Sequence, residues 1–113
     1  MSGDFARAFG FRATLEGTEQ LYLASKLVLD SRAGGAPYPI AGIFGTPMND
    51  LQAVEQMVRR ARDIGYSGVA VMHPSHVAVA NAVYRPTPEE VAYFTGLLQA
   101  FEAAEKAGLG AVS

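Results

Sequence analysis

Cysteine is absent from all 113 residues. That excludes disulfides and thiolate–metal sites, and it leads us to expect a cytoplasmic setting. Charge of one sign is also scarce. The formal net charge is −2, with no run of basic residues, so the electrostatic footprint of a nucleic-acid or anionic-membrane binder is missing. No apolar stretch approaches the ~18 residues needed to cross a bilayer. The N-terminus has no charged region leading into an apolar core, so no secretory signal is expected. What is present is an apolar half of the composition, ordinary for a globular protein and contrary to disorder. The length sets one domain at most, residues 1–113, with no second domain.

The chain is organised around Gly65-Tyr66-Ser67-Gly68-Val69-Ala70-Val71-Met72-His73-Pro74-Ser75-His76. Gly65 is placed to stop a helix, because a residue without Cβ enters the left-handed region at little cost. Val69 to Met72 is apolar and short, as in a fully buried parallel strand. His73 then stands at the carboxyl end of that strand, and Pro74 cannot continue the ladder. Ligands of parallel α/β folds collect at this end of the strands.

In chain order, Phe5 to Phe9 is a short helical pattern closed by Gly10, and Phe11 to Gly17 reads as a loop. Thr18 is a candidate N-cap, with Glu19 in the first turn of a helix running to about Ala33. Its stripe of Leu21, Ala24, Val28 and Ser31, widened by Leu23, Leu27 and Leu29, predicts a well-covered helix. Ile40 to Phe44 reads as a second short strand, left through a turn at Gly45-Thr46-Pro47. Asn49 or Asp50 caps the following helix, whose Leu51, Val54, Val58 and Ala61 share one face. Val77 to Val83 is a short helix or turn. Thr87-Pro88-Glu89-Glu90 opens a last helix: cap, proline at the first position, acids in the first turn. It carries Val91, Phe94, Leu98 and Phe101 on one side, read as core or interface, and ends near Lys106-Ala107-Gly108.

The order helix, strand, helix, strand, helix has the spacing of one βα unit between its strands and predicts their parallel pairing. Two strands cannot close a sheet, and a (β/α)8 barrel takes at least ~200 residues. The expectation is therefore the last third of such a barrel, or a small open α/β layer that needs a partner.

A family resemblance covers nearly the whole chain. Gly3-Asp4-Phe5-Ala6 with Phe9-Gly10, Leu27-Val28-Leu29 with Ser31-Arg32-Ala33-Gly34, Pro39 to Phe44, Asp50, Ala61 to Gly68, His73-Pro74-Ser75, Asn81, Tyr84, Pro86 and Pro88 to Val91 follow in order. Together they resemble the C-terminal part of the aldolase and citrate lyase β-subunit-like family. The resemblance implies a (β/α)8 TIM barrel, parallel strands with covering helices, here incomplete. It implies carbon–carbon lyase chemistry, a retro-aldol or retro-Claisen cleavage of a β-hydroxy acid or its CoA thioester. It also implies Mg2+ held by one Asp and one Glu, with Asp4 at the position of the Asp. The Glu and a substrate-binding Arg belong to strands upstream of Met1. Ala41, Val69 and His76 depart from the Asp, Lys and Gln common in the family, which marks a divergent member.

Each candidate also has a plainer reading. Asp4 suits a hard cation through its carboxylate oxygens, yet from spacing alone it reads first as a cap for the helix at Phe5. His73 and His76 lack the spacing and third ligand of a zinc site, and Pro74 intervenes. His73 is therefore read as a hydrogen-bonding residue at the strand end, orienting a neighbouring loop or, in a full barrel, contacting substrate at the mouth of the site. The glycine turns match no phosphate-loop pattern. The Arg59, Arg60 and Arg62 cluster reads as a solvated helix face, with Glu55 supporting Arg59. Ser25, Ser67 and Ser75 have no local base at triad spacing. The expected partners are a small hydroxy acid or acyl-CoA, a complementary barrel fragment or further copies of the chain. A non-catalytic, self-associating α/β module is the alternative.

Overall fold

A computed structural model describes residues 3–45 and 48–110. The elements are α1 (Gly3–Phe9), a 3-10 turn (Thr18–Gln20), α2 (Leu21–Ala33), β1 (Ile40–Gly42), α3 (Leu51–Ile64), β2 (Gly68–Ala70), α4 (Ser75–Tyr84) and α5 (Pro88–Lys106). The two strands pair in parallel, Ile40 with Gly68, Ala41 with Val69 and Gly42 with Ala70. Backbone bonds from Ser67 N–H to the Pro39 carbonyl (2.8 Å) and from Ile43 N–H to the Ala70 carbonyl (2.9 Å) extend the ladder at both ends. The α/β character and parallel pairing expected from the sequence are thus observed.

Local chemistry sets the element ends. The Asp50 side chain accepts from Ala53 N–H at 3.1 Å, satisfying one of the orphan donors of the first turn of α3. Asn49 plays no such part, so the expected choice between the two resolves to Asp50. At the other end Gly65 has φ 113°, a conformation only glycine enters without strain. Thr87 and Glu90 form a complete capping box, each side chain bonded to the other's backbone N–H at 2.8–3.1 Å.

The core lies on one side of the small sheet. Ile43, Val54, Val58 and Val83 are buried together, with Met57, Val69, Val71 and Val79 against them, so α3 and α4 sandwich their apolar faces over β2. A second cluster of Val28, Ala61 and Tyr66 ties α2 to α3 and the strands. The Tyr66 hydroxyl donates to the Ala24 carbonyl at 3.0 Å, and the Tyr84 hydroxyl donates to the Tyr66 carbonyl at 2.9 Å. Burial raises the pKa of both phenols.

Several expectations need correcting. Thr18 does not cap a long helix. It opens a one-turn 3-10 segment, and α2 proper begins at Leu21 without a side-chain cap. The strands are three residues each. They are only half-buried, because a two-stranded sheet covered on one side leaves Ala70 and Met72 exposed. α2 is not well covered: only Val28 is buried, while Leu27 and Leu29 face outward. α5 buries no residue at all, so its apolar stripe is not core. Projection of α5 lengthens the molecule to 56 × 30 × 21 Å, with a radius of gyration of 17.9 Å against about 13 Å for a compact chain of this size. Thr46 and Pro47, part of the expected turn after β1, lie outside the described residues.

Candidate functional site

Two regions meet the carboxyl ends of the strands. The first is a cleft of about 770 Å³ along the length of β1, walled by Gly3 and Phe5 of α1, Leu21 and Leu27 of α2, and Met57 of α3. β2 occupies one edge of β1, and the cleft wall includes β1 but no residue of β2. The wall is mostly apolar, and Asp50 and Arg60 are its charged members. Arg60 is held there by donation to the Leu15 carbonyl. Gly17, at φ 67°, lies so close to that guanidinium that a Cβ would overlap it at 2.5 Å. The loop after Gly10 is thereby closed onto α3, and Arg60 is not the solvated residue expected.

Asp4 sits in the first turn of α1, exposed, between two cleft-wall residues but not itself in the wall. Among the described residues no group of three or more His, Asp or Glu side chains comes together. Asp50, the nearest carboxylate in sequence terms to the cleft's other side, has an oxygen committed to capping α3. Mg2+ binds through one or two carboxylates completed by water and substrate oxygens. A single exposed carboxylate on a seven-residue helix supplies at most one ligand. Among the described residues, no second carboxylate stands beside Asp4 to complete a Mg2+ site.

The second region follows β2. His73 is exposed; its Nδ1 accepts from Ser75 N–H (3.2 Å) and from the Ser75 hydroxyl (2.8 Å). A ring nitrogen that accepts from a backbone N–H carries no proton, so the neutral ring is protonated at Nε2, the atom left to meet a ligand. His73 thus serves as an N-terminal bracket for α4. His76 is the residue whose importance sequence reasoning underrated. It is 2% exposed, and its Nε2 donates to the Met48 carbonyl at 3.0 Å, pinning the segment that leads from β1 into α3. Its Nδ1 has no hydrogen-bond partner among the described residues. The two imidazoles lie 5.9 Å apart at 57°, and among the described residues no Asp, Glu or further His joins them in a group of three. The structure does not bring Asp4 and His73 into one cleft: neither is among its described wall residues.

Arg62 is the other surprise. Its Nη2 donates to Glu90 Oε1 at 2.9 Å, linking α3 to the first turn of α5 across 28 residues. Glu90's pKa is lowered, first by the Thr87 backbone N–H and then by Arg62. Only the Arg59–Glu55 pair, at 2.7 Å, is the surface pair expected from spacing.

Fold and geometry define a parallel α/β unit with an open strand edge and a histidine pair at its strand exit. No protein-family model matches the chain. Individual relatives do. It is 34% identical over 110 residues to a citrate lyase subunit beta-like protein of Deinococcus radiodurans, covering 97% of this chain and 38% of that protein. It is 27% identical over 108 residues to the mitochondrial citramalyl-CoA lyase of Rattus norvegicus, covering 96% and 31%. It is 30% identical over 127 residues to an L-malyl-CoA/beta-methylmalyl-CoA lyase of Cereibacter sphaeroides, covering 97% and 39%. The chain is a relative of the citrate lyase β-like and acyl-CoA lyase proteins, as the motif series implied. It spans between about a third and two fifths of the length of these curated relatives.

Proposed function

We propose that the chain is the C-terminal portion of a Mg2+-dependent carbon–carbon lyase built on a (β/α)8 barrel and is inactive alone. The complete assembly would cleave a β-hydroxy acid or its CoA thioester in the cytoplasm. The observation that carries this reading is similarity running along nearly all of the chain to relatives named as lyases, over a minor share of their length. The unpaired edge of β1 and the apolar cleft beside it support it, since they are what a sheet interrupted before β1 would leave. In this reading Asp4 contributes one carboxylate to the metal, the second comes from outside the chain, and the free Nε2 of His73 meets substrate at the barrel mouth.

Malyl-CoA and citramalyl-CoA are the probes, with Mg2+, tested on the chain alone and on the chain co-expressed with the first two thirds of the Deinococcus relative. The expected outcome is no cleavage alone, and cleavage on reconstitution that Asp4→Ala abolishes. Turnover by the chain alone would contradict its incompleteness, and a soluble reconstituted complex without turnover would contradict the lyase assignment.

A second reading is favoured by α5, whose large apolar side chains are all exposed: a non-catalytic α/β module that self-associates. Sedimentation separates it from a monomer.

A further inference from the structure

α5 is a 19-residue helix with a complete N-terminal capping box and no buried residue. Its described link to the body is the Arg62–Glu90 pair at its first turn, so about 24 Å of helix projects beyond it. Val91, Phe94, Leu98 and Phe101 are 53%, 57%, 65% and 59% exposed. Their spacing of three, four and three residues is the seam spacing of a two-helix coiled coil. It also reads the same from either end. An antiparallel two-fold pair therefore sets Val91 opposite Phe101 and Phe94 opposite Leu98 in both halves, a closed isologous contact. With Leu97 (43% exposed) at its margin, the stripe of one copy offers about 500 Å² of apolar surface. A pair would bury about 1,000 Å², the lower limit of a specific interface. Antiparallel packing also opposes the helix dipoles and holds the two bodies, each attached at an N-terminal end, at opposite ends of the pair.

We propose that two copies of this chain associate through an antiparallel α5–α5 pair centred between Phe94 and Leu98. This rests on the self-association reading above and names its interface. The pair is weak, because its area is small and its seam is two heptads long.

Sedimentation equilibrium of the full chain from about 1 μM to about 1 mM tests it, beside Phe94→Glu, Leu98→Glu and, on the opposite side of the helix, Gln99→Glu. The expected result is a reversible dimer, weakened at least about 100-fold by either seam variant and unchanged by Gln99→Glu. All three positions are exposed, so circular dichroism should be the same in every variant. A nitroxide on Glu102→Cys, at the margin of the stripe, then reports orientation, about 20 Å or more between labels if antiparallel and about 10 Å if parallel. A monomer throughout would overturn self-association itself. A dimer insensitive to Phe94→Glu, a short label distance, or broadening of Leu21 and Leu27 in the other copy's cleft would overturn this interface alone.

Discussion

Replacing His76 tests whether the buried ring acts by filling space or by its hydrogen bond. The side chain is 2% exposed, donates once, to the Met48 carbonyl at 3.0 Å, and leaves Nδ1 without a partner among the described residues. Three contributions compete. Truncation to alanine empties a ring-sized volume, at about 3 kcal/mol by comparison with other aromatic-to-alanine changes. Loss of the bond to Met48 costs about 1 kcal/mol. Removing a buried polar nitrogen that has no partner returns roughly 1–3 kcal/mol. His76→Phe keeps the ring and loses both nitrogens, so the last two contributions offset and its stability should stay within about 1 kcal/mol of the parent. His76→Ala should lose about 3 kcal/mol. The Met48 carbonyl is nevertheless released in both, so amide exchange through Met48 to Leu51 should quicken in both. Urea unfolding gives the stability and hydrogen exchange gives the local opening. If His76→Phe were as destabilising as His76→Ala, the hydrogen bond would dominate and the accounting above would be wrong.

The remaining predictions concern single features. Val58, fully buried between α3 and α4, should cost about 2 kcal/mol as alanine, read as a lower urea midpoint with an unchanged slope. Asp50→Ala removes the cap of α3 and should cost about 1 kcal/mol, whereas Asn49→Ala should be nearly silent. Glu19 accepts from Gln20 Nε2, the Thr14 hydroxyl and the Thr14 N–H, which together lower its pKa to about 2 from an ordinary 4.5. A depressed folded-state pKa means the turn's contribution is full above about pH 4.5 and fades as pH falls toward 2. An NMR titration of Glu19 should move back toward the ordinary value in Thr14→Val, and an unmoved titration would remove Thr14 as a cause.

Much of the local structure was legible because it depends on neighbours in sequence. The capping box at Thr87, the proline behind it and the stop at Gly65 each act within four residues, and each is where the pattern put it. The Val54–Val58–Ala61 face was equally plain, since a strongly amphipathic helix has one way to turn toward a core. The two strands were found by their apolar runs, but their lengths were not. A run of apolar residues does not say how many have a partner strand, and here pairing ends at Gly42 and Ala70. The roles of Arg62, Arg60 and His76 were illegible for one shared reason. Their partners, Glu90, the Leu15 carbonyl and the Met48 carbonyl, lie 28, 45 and 28 residues away, and two of the three are backbone atoms that carry no sequence signal.

The site was legible only as a pattern of motifs, and the structure shows why. Function at the carboxyl end of a parallel sheet is assembled from several strands, each giving one or two side chains. A two-stranded piece can present only a few of these: His73 beyond β2, and Asp4 on the helix that flanks the open edge of β1. In the lyase reading proposed above, each would need a second group, and none stands beside it among the described residues. The same shortage of strands accounts for the exposed apolar faces of α2 and α5, because a helix of an α/β layer is covered by the sheet it packs on, and three residues of strand are too few to cover a 19-residue helix. In the proposed reading, missing chemistry and missing packing have one cause. An arrangement that supplied only an apolar lid, such as an α5–α5 pair, would cure the second and leave the first. Strands from elsewhere placed on the free edge of β1 would address both, which is why restored turnover and restored burial, measured on the same complex, distinguish a lyase completed from a module merely covered.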